Sequence, residues 1–366
     1  LLAMVRAQSS QLDIAETLLT MPDLFNFWLT GRKASEFTIA TTTQCYDPRA
    51  GDWAYEMLDR LDIPTHLFQE IVEPGTVLGP LRTEIVDETG APPLQLVVPA
   101  THDTASAVAA IPVAQGDAII YISSGTWSLM GVEIGQPIIN AESLEVGLTN
   151  EGGVGGTFRF LKNITGLWLI QECRRAWAQQ GKTYTYDELA AMAAEAPAFG
   201  PLIVVDHPTF LAPEDMPAAI RSFCKQTSQA APETRGAIVR CALESLAMAY
   251  RDVALRLDSL VGHRLKAIHI IGGGSQNQLL NQLTADATDR DVFAGPVEAT
   301  AIGNVLVQAM ALGYIDSLEA GRALVRRSFE VTGYHPRAAQ VGVWDTAYER
   351  YYELLNRVRR DIESTN

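Results

Sequence analysis

The sequence predicts an α/β protein of about two domains, and three observations carry that prediction. Between Leu265 and Leu312 the chain reads strand, glycine turn, helix, strand, helix, the alternation of a parallel sheet. An apolar run, Leu94–Val98, leads through Thr101-His102-Asp103 into a run of small residues ending at Val108, a second strand-to-helix junction. At 366 residues and 47% hydrophobic, the chain is long enough and apolar enough to bury more than one core.

The elements follow in order. Leu1–Gln8 has an amphipathic helical pattern, and the chain opens Leu1-Leu2-Ala3-Met4, so we expect it to lack its true start. Ile14–Leu29 reads as helical, broken at Pro22 and ended by Gly31. Asp52–Leu61 is a second helix closed by Pro64, and Glu70–Leu78 is extended around a Pro74-Gly75 turn. Leu94–Val98 reads as a buried strand before the His-Asp helix. Pro112–Gln115 reads as a hinge. Asp117–Ser123 and Trp127–Glu133 are rich in β-branched and aromatic residues and flank a Ser123-Ser124-Gly125-Thr126 turn, which predicts a hairpin. Val146–Phe160 turns at Gly152-Gly153-Val154-Gly155-Gly156. Leu167–Gln180, Tyr186–Ala194 and Pro217–Gln226 are helical. Thr234–Leu260 carries an apolar stripe through Ile238, Cys241, Leu246, Ala249 and Val253. Leu265–Ile271 and Asp291–Ala294 are strands, Asn277–Ala287 and Thr300–Leu312 helices, and Trp344–Ile362 a closing amphipathic helix.

Charge and composition exclude several function classes. A net charge of −15 argues against a nucleic-acid surface, which needs clustered Lys and Arg. No apolar run approaches the roughly 18–20 residues of a membrane span. Cys45, Cys173, Cys224 and Cys241 form no CxxC pair, and read as thiols of a reducing compartment, the cytoplasm. The six histidines have no zinc-ligand spacing, and no metal-ligating residue is expected. No internal repeat is evident.

Three places could carry chemistry. Asp103 at a helix start could take a proton from a substrate hydroxyl; the alternative is that it caps the helix. The Ser123–Thr126 turn exposes amides and hydroxyls that make a phosphate nest, or it is an ordinary hairpin turn. Gly272-Gly273-Gly274-Ser275-Gln276-Asn277 lets backbone approach a nucleotide at a helix N-terminus, or simply supplies a turn with positive φ. It is neither a GxxxxGK[ST] loop nor a GxGxxG fingerprint, which disfavours a dinucleotide dehydrogenase. After Lys162-Asn163-Ile164-Thr165-Gly166, Asn163 could bond a polyol and Gln171 a nucleotide; otherwise Asn163 caps a turn and Gln171 is a solvated helix residue.

The ordered set of these motifs resembles the FGGY family of carbohydrate kinases, and within it most closely the rhamnulokinase branch. The residues are Met21-Pro22-Asp23-Leu24-Phe25, Thr41-Thr42-Thr43-Gln44, Glu73-Pro74-Gly75-Thr76, Ala100-Thr101-His102-Asp103-Thr104-Ala105-Ser106 and Tyr121-Ile122-Ser123-Ser124-Gly125-Thr126-Trp127. Asn150-Glu151-Gly152-Gly153, Phe160-Leu161-Lys162-Asn163, Gly166-Leu167-Trp168, Gly272–Asn277 and Ala294-Gly295-Pro296 continue it, to about Gly313.

The resemblance implies two ribonuclease-H-like domains of the actin-like ATPase fold around a cleft, the first incomplete here. Residues 1–112 would be the remaining sugar-binding domain, 113–330 the nucleotide-binding domain and 331–366 a helical tail. It implies Asp103 as catalytic base, with His102, Thr104 and Asn163 at the sugar. Gly125 and Thr126 would meet phosphate, Gln171 and Gly273 ATP, and Gly274 and Asn277 the adenosine side. ATP, Mg²⁺ and a ketose are the implied partners, with L-rhamnulose becoming its 1-phosphate. L-fuculose, L-xylulose and a non-catalytic nucleotide-binding remnant are the alternatives, and monomer and homodimer both stay open. The family's early DxGxxS/T-type loop has no match before Asp103.

Overall fold

The computed structural model describes residues 1–114 and 118–364. The chain divides into two compact units. One comprises Leu1–Gln115, Glu133–Leu161 and Ala299–Ser328, the other Gly116–Val132, Lys162–Glu298 and Phe329–Asn366.

In the first unit, helix Met21–Thr30 begins where the sequence suggested a break. Pro22 lies in its first turn, where a missing N–H costs nothing, and Gly31 ends it in the left-handed conformation. Residues 15–20 are not helical. Asp52–Trp53 is a short strand, and the helix starts at Tyr55, ending at Arg60. Trp53, Leu58, Ile63, Leu67 and Phe68 form a core with Ala40. Leu94–Val98 is less buried than expected. Its strand is Gln95–Val97, paired antiparallel with Val77–Pro80 in a two-stranded sheet, and Leu94 is half exposed. Val98 and Ala100 are buried and lead the chain to helix Asp103–Ala109.

That helix is buried from Thr104 onward because its side chains are small. It packs against helix Ala299–Ala311, and the closest approach is made by a glycine. A Cβ on Gly303 would stand 1.7 Å from the Ser106 carbonyl oxygen, so no other residue permits this spacing.

A seven-stranded sheet runs in the order Thr332–Tyr334, Asp291–Ala294, Ala267–Ile271, Ile119–Ser124, Trp127–Ile134, Phe158–Thr165, Thr149–Gly152. It is mixed. Ala267–Ile271 pairs parallel with both Ile119–Ser124 and Asp291–Ala294, as the strand–helix alternation predicts. The two hairpins and the Thr332–Tyr334 edge are antiparallel. The expected first hairpin strand is seen from Ile119; Asp117, and Gln115 of the expected hinge, lie outside the described residues.

In the second unit, helix Arg235–Val261 forms much of the core. Thr234 caps it through the Ala237 N–H at 3.1 Å, Gly262 ends it, and Ile238, Cys241, Leu246, Ala249 and Val253 are all buried. Helix Gln278–Thr288 packs against it, and the closing helix runs from Val341 to Glu363. Among the described residues no helix is long and apolar enough to cross a membrane.

Candidate active site

The first unit holds His102, Asp103 and Thr104. His102 stands at the N-cap position with no side-chain capping bond, and Asp103 is the first helical residue. Asp103 is therefore not the helix cap. Its Oδ1 accepts from the next residue, Thr104, through the N–H at 2.6 Å and the hydroxyl at 3.2 Å. The Asp103 side chain is 76% exposed, so it stays open to a reactant. Thr104 is buried.

Two polar clusters fix this loop. The first is built on Glu36, wholly buried at the N-cap of helix Phe37–Ala40. Its carboxylate accepts from the Thr38 N–H at 2.8 Å, the Thr38 hydroxyl at 2.6 Å and the Ile39 N–H at 3.2 Å. It also accepts from the Thr101 N–H at 3.1 Å and hydroxyl at 2.5 Å. The Thr38 hydroxyl in turn accepts from the His102 N–H at 3.1 Å. Burial pushes the Glu36 carboxyl above its usual range, against the pull of the Thr101 and Thr38 donors. Asp23, also buried, accepts from the Glu36 N–H at 3.1 Å.

The second cluster is Arg159 and Glu151, opposite each other across the Thr149–Gly152 and Phe158–Thr165 hairpin. Arg159 is fully buried, with Nε donating to the Gly152 carbonyl at 2.8 Å and Nη2 to Glu151 Oε2 at 3.2 Å. Nη2 also lies 2.8 Å from His102 Nδ1. Burial pushes the Glu151 carboxyl up, but its polar and charged neighbours, the Arg159 guanidinium and the Thr149 hydroxyl among them, outweigh it and hold the group below its usual range.

The second unit holds the other expected residues. Gly125 and Thr126 form the tip between strands Ile119–Ser124 and Trp127–Ile134. Their carbonyls accept from Leu167 at 3.0 Å and from Gly166 and Trp168 at 3.1 Å, which docks the hairpin tip on the start of helix Trp168–Gln179. Thr126 and Gln171, expected separately, meet: the hydroxyl donates to Gln171 Oε1 at 3.1 Å. The glycine turn lies on the same strand end. A Cβ on Gly274 would stand 2.0 Å from Ser124 Oγ, so this close approach needs glycine. Gly273 is exposed with open space around it. Gly273–Gln276 winds into a short 3₁₀ turn, and Asn277 caps helix Gln278–Thr288 through the Leu280 N–H at 3.0 Å.

Asn163 is exposed within strand Phe158–Thr165, ahead of Gly166, and caps no turn. Glu36, Thr38, Glu151 and Arg159 were missed as site residues. The signals were a lone Glu between Ser35 and Phe37-Thr38-Ile39, and an Arg between two phenylalanines opposite a Glu.

Comparison with known proteins shows the family. Residues 4–110 match the N-terminal domain and residues 120–312 the C-terminal domain of the FGGY family of carbohydrate kinases. The chain is 44% identical to a rhamnulokinase of Bacteroides thetaiotaomicron over 343 residues, 94% of this chain and 69% of that protein. It is 45% identical to a rhamnulokinase of Halalkalibacterium halodurans over 320 residues, 87% of this chain and 67% of that one. In fold it resembles the ligand-bound xylulose kinase of Lactobacillus acidophilus, with a TM-score of 0.78 at 16% identity, covering 100% of this chain and 73% of that one. The fold is thus the two-domain, ribonuclease-H-like one, and the chain belongs to the FGGY family of carbohydrate kinases, enzymes that act on a sugar and ATP.

Proposed function

We propose that this chain phosphorylates L-rhamnulose on its 1-hydroxyl with ATP, in the cytoplasm, with Asp103 as the general base. The observation that carries the catalytic part is the Asp103 carboxylate, exposed at the start of an otherwise buried helix and fixed beside His102. The identity of 44 and 45% to two rhamnulokinases supports the choice of ketose.

In this reading His102 and Thr104, with Asn163, orient the ketose, and residues 1–112 are its domain. Gly125, Thr126, Gln171 and Gly273 meet ATP, with Gly274 and Asn277 toward its adenosine, in the domain 113–330. The ketose hydroxyl oxygen bonds to the γ-phosphorus as its proton passes to Asp103, and the bond to the β,γ-bridging oxygen breaks to release ADP. Phosphoryl transfer asks mostly for positioning, which a carboxylate at the end of a packed helix provides. Mg²⁺ would travel on the phosphate oxygens of ATP. Among the described residues no cluster of three His, Cys, Asp or Glu side chains could hold a metal.

The test is ADP release measured against a panel of L-rhamnulose, L-fuculose and L-xylulose, with ATP binding measured separately by calorimetry. Turnover preferring L-rhamnulose is expected. Preference for another ketose would replace the substrate, and ATP binding with no ketose-dependent ADP release would leave a nucleotide-binding remnant.

A further inference from the structure

His102 has two ring nitrogens, and its surroundings treat them differently. Nδ1 lies 2.8 Å from Arg159 Nη2. A guanidinium has donors and no acceptor, so a nitrogen in hydrogen-bond contact with it must offer its lone pair. A proton on Nδ1 would face the proton of Nη2. Glu151 Oε2, 3.3 Å from Nδ1, is the competing partner, since it could accept from a protonated Nδ1. The arginine wins on three counts. It is closer, it is anchored by its bond to the Gly152 carbonyl, and it is fully buried with no room to turn away. Glu151 also has other donors, Arg159 on Oε2 and the Thr149 hydroxyl on Oε1 at 3.1 Å.

With Nδ1 bare, the proton of the neutral ring sits on Nε2. That nitrogen is 3.7 Å from Asp103 Oδ1, too far to spend its proton there. The ring is 20% exposed, and its backbone is held by the Thr38 hydroxyl. A fixed N–H therefore stands beside the mostly exposed Asp103 carboxylate.

We propose that Arg159 is a positioning residue: it locks His102 as the Nε2–H tautomer, so that the imidazole donates to an oxygen of the ketose next to the Asp103 carboxylate. This rests on the reading of His102 and Asp103 as ketose contacts. A donor at one oxygen and an acceptor at its neighbour read a polyol in one orientation only, which is how one hydroxyl comes to face the base.

The tautomer can be read without substrate. In protein with ¹⁵N-labelled histidine, long-range ¹H–¹⁵N spectra at neutral pH distinguish bare from protonated ring nitrogens, and His102→Gln assigns the signal. Wild type should show His102 with Nδ1 bare and Nε2 protonated. In Arg159→Met the proton should move to Nδ1, facing Glu151, and L-rhamnulose affinity by calorimetry should fall about tenfold, one hydrogen bond's worth, with ATP affinity unchanged. Adding Glu151→Gln to Arg159→Met supplies an amide N–H to Nδ1 and should restore both the tautomer and the affinity, which a purely structural role for Arg159 would not. Wild-type protein with Nδ1 protonated overturns the proposal, and this needs no variant to fold. So does an Arg159→Met protein that keeps Nε2–H. Unchanged L-rhamnulose affinity in His102→Gln overturns instead the reading of His102 as a ketose contact.

Discussion

One carboxylate oxygen of Glu36 accepts both the backbone N–H and the hydroxyl of Thr101, 65 positions along the chain, at 3.1 and 2.5 Å. The residue after Thr101 is His102 and the next is Asp103. The same oxygen takes the Thr38 hydroxyl, which accepts from the His102 N–H. The approach to Asp103 is therefore set by a buried carboxylate with no exposure of its own.

Glu36→Gln tests this. The substitution keeps the shape but turns one acceptor oxygen into an NH₂ group facing donors. A buried donor left without a partner costs about 1–3 kcal/mol, so urea unfolding should show a loss of that size. The ketose KM should rise as well, because Thr101 and His102 lose their anchor. A variant as stable as wild type would mean that the Glu36 bonds do not hold the loop.

Asp103→Asn separates chemistry from structure. The side chain is mostly exposed, and the Asn carbonyl can still accept from the Thr104 N–H, so stability should change by no more than about 0.5 kcal/mol. Ketose-dependent turnover should fall by about 10²–10⁴, the usual worth of a general base, while ATP still binds. Turnover near the wild-type rate would remove Asp103 from the mechanism.

Much of this was legible in the sequence, and the limits were physical. Local patterns showed the Leu265–Leu312 alternation and the long helix from Thr234, because an apolar stripe and strand–helix alternation are short-range signals. Thr126 and Gln171 were each identified, but not their bond, since their meeting depends on how Leu167 docks under the hairpin tip. Pro22 was misread as a break because a proline in the first turn and one in the interior look alike without the helix start. Glu36 could be read only as a local cap, since its bond to Thr101 spans 65 positions. Arg159 becomes a site residue only once the hairpin register puts Glu151 opposite it.

Gly303→Ala tests the packing of the helix that begins at Asp103. The added Cβ would meet the Ser106 carbonyl oxygen at 1.7 Å, a backbone atom that cannot rotate aside. Helices Asp103–Ala109 and Ala299–Ala311 must then separate, and overpacking of this kind costs about 1–3 kcal/mol. Thermal unfolding should drop by several degrees, and L-rhamnulose affinity should weaken with it. An unchanged melting temperature would show that the two helices are not pressed together here.

The pH dependence of stability should carry the signature of His269. This residue lies in strand Ala267–Ile271, is buried, and its Nε2 donates to the Gly295 carbonyl at 2.8 Å. A carbonyl only accepts, so the neutral ring holds its proton on Nε2, and charging it would bury an imidazolium. Burial accordingly pushes its pKa down from 6.5 to about 4. Between those values the unfolded chain binds a proton that the folded one refuses. The contribution is fully present above pH 6.5 and is lost as the pH falls toward 4, by about 2 kcal/mol at pH 5 and about 3 kcal/mol at most. His269→Gln keeps a donor for Gly295 and cannot titrate. Urea unfolding of both proteins at pH 8 and pH 5 subtracts the acid sensitivity that their carboxylates share. The wild type should lose about 2 kcal/mol more than the variant over that step. Equal losses would mean that His269 is charged in the folded protein, or that its ring is open to water.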